Sequence, residues 1–242
     1  MFGLKTVIDL VLIAILVICA WSGYKKGLLM GIGGVLVIVV GIYGANLLAN
    51  VFSYDLEPAL RPFVFGYAEG VINNDSAVRE QLGWSRYDYS MEDLLSQHPD
   101  RQEEFCQTSY ETMGIDGATA GSMARRAVTY AQESGGTVTG AMKHILSQTV
   151  SYVAIFIVAF LLIVIILTVL GNLPNLSYKI PQLDLVNDIA GALLGLVTGF
   201  LFCVTLVWAL KFLGLLLGDA LAESRVGGWL LSKNYLLPYL GL

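Results

Sequence analysis

Asn187-Asp188-Ile189-Ala190-Gly191-Ala192-Leu193-Leu194-Gly195-Leu196-Val197-Thr198-Gly199-Phe200 is the stretch whose reading decides the fold. It opens an apolar run that continues to Trp208. Gly191, Gly195 and Gly199 stand four apart, which in a helix stacks them on one side. A stripe without side chains lets a second helix come close. In lipid, that close packing replaces the drive that water supplies elsewhere. The run is therefore expected to be the hub of a helical membrane bundle, with Gly191, Gly195 and Gly199 as its packing face.

Working outward, the composition agrees with lipid as the solvent. The chain has 242 residues, 56% apolar and 14% charged, with a mean hydropathy of +0.68. Soluble domains carry about 25% charged residues. The charge is also unevenly placed. Residues 53–145 hold 14 of the 19 acidic groups and seven of the 14 basic ones, a balance of −7, while the remainder stands at +2 and is nearly all apolar. One polar block between spans is the natural partition. An acidic block argues against nucleic acid as a partner, because phosphates need a basic face.

Four spans are expected, at 6–22, 28–51, 152–170 and 188–210. The first could be mistaken for a secretory leader. Only Lys5 precedes it, however, and Trp21, Tyr24 and two lysines follow where a small-residue cleavage site would stand. A short basic turn, Gly23-Tyr24-Lys25-Lys26-Gly27, joins it to the second span as an antiparallel hairpin. The second span has its own row of small residues at Gly41, Ala45 and Ala49, the expected mate for the glycine stripe. These boundaries give a transmembrane hairpin at 1–52, an extramembrane helical insertion at 53–145, a second hairpin at 146–217, and an interfacial aromatic tail at 218–242. The fold class is thus all-α: a polytopic bundle of four transmembrane helices with a helical insertion.

Within the insertion, Ser90-Met91-Glu92-Asp93 carries a helix start signal, and His98-Pro99 a stop. A second helix is expected to end at Gly114. A third, over 119–134, presents Met123, Ala127, Tyr130 and Ala131 on one face and closes at Gly135-Gly136. Pro58 and Pro62 are expected to break the stretch 56–71. Lys25 and Lys26 favour the cytoplasm for the first turn. That places both termini and 53–145 outside the cytoplasm.

Two carboxylates mark span ends. Asp9 and Asp188 each read either as an interfacial charge or as an ion or proton site between helices. By topology they enter from opposite membrane faces. His98, Asp100, Glu103 and Glu104 form a solvated charge run, and Arg125-Arg126 a solvated edge. Cys19, Cys106 and Cys203 are scattered and show no disulfide or metal spacing. No hydrolase, phosphate-loop, dinucleotide or metal motif is present, so no catalytic residue, metal site or cofactor is expected.

The early Asp9, the Gly-Tyr-Lys-Lys-Gly turn at 23–27, the glycine-rich second span and the Asn-Asp-Ile-Ala-Gly-Ala-Leu-Leu-Gly-Leu-Val-Thr-Gly opening at 187–199 together resemble the colicin V production protein family. The likeness covers 4–51 and about 147–213, and 53–145 stands as an insertion beside the compact members. The resemblance implies a multi-pass protein of the bacterial inner membrane, non-enzymatic, serving toxin production or export or envelope maintenance. Its partners would be the lipid bilayer, further copies of itself, or export and envelope proteins. Two other readings compete: a transporter or channel subunit, and a membrane-anchored receptor binding its ligand through 53–145.

Overall fold

The computed structural model describes residues 3–74, 76–84, 89–172, 184–212 and 220–232. Every regular element among them is helical: α1 (Leu4–Asn74), α2 (Ser76–Gln81), α3 (Met91–Gln97), α4 (Gln102–Thr112), α5 (Gly117–Ser134), α6 (Val138–Asn172), α7 (Asp184–Leu210), α8 (Ala220–Glu223) and α9 (Arg225–Leu231), with one 3-10 turn at Pro99–Arg101. The all-α fold class is thus observed. Three of the described helices are long and apolar enough to cross a membrane: Leu4–Ile72, Val138–Gly171 and Val186–Leu210. The second polar link at 173–183 and the tail residues Tyr235, Pro238 and Tyr239 lie outside the described residues.

The chain divides into two compact units. The first comprises Met1–Val51, Ala154–Leu210 and Ala220–Leu242, and the second Phe52–Val153 with Lys211–Asp219.

In the first unit, α1 is two helices meeting at Gly27, whose φ of 78° and ψ of −177° leave helical space. That left-handed φ suits glycine, which has no Cβ to clash. The neighbours of the two arms show the chain doubling back there. Going down from Gly27, the first arm meets α7 at Gly191 from Gly23, at Gly195 from Cys19, at Gly199 from Leu16 and at Cys203 from Leu12. Going up from Gly27, the second arm meets α7 at Leu194 from Gly31 and at Thr198 from Gly34. Both arms therefore run along α7 in opposite directions. The sequence suggested a loop over 23–27. The helix instead continues to Gly27, because this one residue supplies the whole reversal.

α6 joins the unit through aromatic contacts. Phe156 meets Trp208 edge-on with centroids 4.8 Å apart, and Phe160 lies 5.5 Å from Phe202. A small core of Ile8, Leu12, Cys203, Val204 and Val207 takes in Leu221 and Leu230 from the last two short helices.

The second unit packs around the fully buried Phe105, Tyr110, Leu94, Met123 and Met142. Tyr110 donates its hydroxyl to the Met142 carbonyl at 2.8 Å, so the buried phenol is satisfied. Pro58 and Pro62 do not break α1. Val64, Ala68 and Ile72, spaced by four, continue a buried stripe beyond them into this core. Each proline removes one backbone donor, and burial of that stripe outweighs the loss. α3 begins at Ser90, whose hydroxyl accepts from the Asp93 N–H at 3.2 Å and donates to the Asp93 carboxylate at 2.6 Å. α5 begins with Asp116 accepting from the Thr119 N–H and closes on Gly135 at φ 66°. Its buried face carries Ala120, Met123, Ala124, Ala127 and Ala131, whereas Tyr130 is exposed.

Candidate functional site

The glycine stripe lies against backbone. A Cβ placed on Gly191 would fall on the Gly23 carbonyl oxygen, and one on Gly23 would fall on the Gly191 carbonyl. A Cβ on Gly195 would fall on the Cys19 carbonyl, and one on Gly199 would stand 2.9 Å from the Cys19 Cβ. Gly191 and Gly195 thus turn toward a carbonyl of the opposite helix, a geometry that supports weak Cα–H···O contacts. The mate of the stripe is the first arm, through Leu16, Cys19, Gly23 and Gly27, and not the row at Gly41 and Ala45. Gly41 instead faces α6, where a Cβ would lie 3.0 Å from Val164 and 3.2 Å from Phe160. Ala45 is fully buried.

Where the arms meet, the backbone needs a partner. After the break at Gly27, the first N–H groups of the second arm have no carbonyl behind them. The Leu28 N–H donates to Asn187 Oδ1 at 3.0 Å, across 159 residues of sequence. Asn187 is 5% exposed and fills the place that a Gly27 side chain would need. A residue from α7 thereby caps the second arm. The amide beside Asp188 is visible in the sequence, but no local signal points it at Leu28.

Asp9 has a comparable task at the other end of the seam. Its Oδ1 accepts from Ser224 Oγ at 2.7 Å and from the Val226 N–H at 2.8 Å, and its Oδ2 accepts from the Arg225 N–H at 3.1 Å. Ser224 Oγ in turn accepts from the Gly227 N–H at 2.9 Å, capping α9. Nearby, Lys5 pairs with Glu223 at 3.3 Å. Trp229 of α9 packs on Phe200 of α7. A carboxylate from the first arm thus holds the first turn of the last helix. Ser224 is a cap that the sequence reading missed, because no acidic residue follows at the third helical position.

Asp9 and Asp188 are kept apart. Asp9 stands one turn from Leu12, which meets Cys203, and 15 residues of α7 separate Cys203 from Asp188, about 22 Å of helix. Asp188 is half-buried beside the capping Asn187. Lys25 and Lys26 close the first arm, and Lys25 Nζ lies 5.1 Å over the Trp21 ring. Exposed Trp21 and Tyr24 stack at 6.2 Å, an aromatic pair suited to the headgroup zone.

In the second unit, Arg101 pairs with Glu104 at 2.9 Å, and Arg125 with Glu103 at 3.6 Å. His98 stacks on Trp84. Among the described residues, no group of three or more His, Cys, Asp or Glu is placed to hold a metal ion. His144 Nδ1 lies 3.2 Å from Glu57 and its ring packs on Tyr130. Burial pushes the Cys106 thiol up to about 12, which keeps it a neutral core group. Lys211, directly after α7, is 4% exposed. Burial lowers it to about 8 against the opposing field of Asp116.

This arrangement of a reversed first helix, a glycine seam and a clasped last helix can be set beside known proteins. Residues 119–234 match the family model of the colicin V production protein. That stretch is similar to the colicin V production family. It takes in one side of these contacts, Asn187, the three seam glycines and Ser224, while Asp9, Cys19, Gly23, Gly27 and Leu28 lie outside it. It also begins inside the polar block, at the start of α5. No curated protein and no solved structure shows a match to the chain. The colicin V production match and the long apolar helices together make this a membrane protein.

Proposed function

We propose that the chain is a non-enzymatic scaffold of the bacterial inner membrane, serving toxin production and export or the upkeep of the envelope. In this reading it crosses the bilayer four times, with both termini and 53–145 outside the cytoplasm and the Lys25–Lys26 corner inside. The observation that carries it is the seam. Within the membrane unit, the groups that converge in space serve to join helix to helix: Asn187 to Leu28, Asp9 to Ser224–Val226, and glycine to backbone. The colicin V production match over 119–234 supplies the process.

The channel reading needs polar side chains at mid-membrane depth. Thr198 and Thr205 of α7 instead give their hydroxyls to the Leu194 and Leu201 carbonyls at 2.9 and 2.8 Å, which favours the scaffold. The receptor reading gains little from the polar cavity of the second unit. Among the described residues its lining includes Glu69, Ser90, Glu92, Thr139 and Lys143, without a tyrosine or tryptophan. The test is genetic. A strain carrying the colicin V genes, with this gene deleted, should release less active toxin and recover on complementation. Unchanged release, with an envelope as detergent-resistant as the parent's, would overturn the proposal.

A further inference from the structure

The membrane unit contains a cavity of about 290 Å³ between both arms of α1, α6 and α7. Its wall is largely apolar: Ile18, Met30, Val37, Ile38, Val164 and Phe202. Glycines 23, 31, 34 and 195 also line it, and their missing side chains open the space. The Thr198 hydroxyl in the wall is already given to Leu194, so it offers no donor to a guest. Among the described residues of the lining, Lys26 carries the charge, and it stands at the Gly27 corner. From that corner to Ile38 is about 16 Å of helix, half the thickness of a bilayer core of about 30 Å. The exposed Trp21 and Tyr24 rings mark the same end as the headgroup level.

The slot thus runs from a cation at the membrane surface to apolar walls at the midplane. That is the shape and polarity of half a bilayer. We propose that it takes one acyl chain of an anionic phospholipid from the adjoining leaflet, with the headgroup phosphate at Lys26. Basic residues between spans recognise such headgroups by charge, and the apolar walls accept the chain by burial. The site does not depend on the scaffold role, because it needs only the packed first unit.

The full-length protein in phosphatidylcholine nanodiscs, with a trace of phosphatidylglycerol bearing a photoreactive diazirine on its acyl chain, tests this. Cross-links should map to the lining residues Met30, Val37, Ile38, Val164 and Phe202. Unlabelled phosphatidylglycerol should compete and phosphatidylcholine should not. Lys26→Gln should weaken the preference for the anionic lipid about fivefold, the effect of one cation near the surface. Val37→Phe, which fills the slot, should abolish capture, while Val39→Phe on the exposed face should leave it intact. Labelling spread over exposed positions such as Leu36 and Val39, or equal competition by both lipids, would overturn the proposal. The wild-type map decides this even if a variant fails to fold.

Discussion

Replacing Gly195 by alanine adds one methyl group where the opposite backbone leaves no room for it. The new Cβ would lie on the Cys19 carbonyl oxygen, 3.0 Å from the Cys19 carbonyl carbon and 3.1 Å from the Ala20 Cα. All three are backbone atoms, so no rotamer change relieves the clash, and α7 must move away from the first arm by roughly 1 Å. Such a gap forfeits a quarter to a half of each contact along the seam, at about 0.1–0.2 kcal/mol per atom pair. Overpacking of this kind costs about 1–3 kcal/mol. Alanine also favours helix over glycine by about 1 kcal/mol, which works the other way. Gly33→Ala isolates that second effect, since a Cβ there meets nothing within 4 Å. The comparison is thermal unfolding of both variants in the same detergent. Gly33→Ala should match or exceed the wild type, and Gly195→Ala should fall below Gly33→Ala by about 1–3 kcal/mol, the overpacking cost alone, because the propensity gain is common to both variants. Gly195→Leu should lower stability further or disrupt the bundle. Equal melting of the two alanine variants would refute the seam as a close backbone contact.

Three further outcomes are expected. Asn187→Leu removes the acceptor of the Leu28 N–H and should destabilise the first unit by about 1–3 kcal/mol, with faster hydrogen exchange at Leu28 as the direct readout. Asp9→Ala strips the acceptor from Ser224, Arg225 and Val226. Proteolysis should then cut sooner near α9, while the core of the second unit keeps its protection. Lys211 carries a pH signature whose sign is set by its lowered value. Its pKa is about 8 in the fold against 10.5 ordinarily. Between these the unfolded chain binds more protons, so stability should rise with pH from 8 to 10.5, by about 3 kcal/mol at most. Below pH 8 the cost of the buried cation is constant. Lys211→Met should flatten that rise relative to the wild type; parallel curves would show the lysine to be solvated.

The elements most legible in the sequence were those written locally. The apolar runs fixed the long helices, Ser90 and Asp93 wrote the start of α3, and Gly135 wrote the end of α5. The glycine stripe was legible as a packing face, but its mate was not. Cys19, Gly23 and Gly27 form an equally regular row of small residues. It was obscured because 23–27 also reads as a turn, and a helix can carry a small-residue row up to a one-residue reversal. The polar contacts that complete the site link Leu28 to Asn187 and Asp9 to Ser224, 159 and 215 residues apart. Pairings at that range depend on which helix faces which, and periodicity within one helix does not contain that information.

The Gly27 corner also imposes an order on biogenesis. The hairpin it creates is made early in translation, whereas the asparagine that satisfies its exposed amide emerges about 160 residues later. Until then that donor faces headgroups or lipid without a protein acceptor, which favours a splayed, unsettled pair of helices. The opening third of this protein therefore reaches its final geometry only when the closing third has been inserted, and a nascent chain stalled before Asn187 would present a loose hairpin to the quality-control proteases of the membrane.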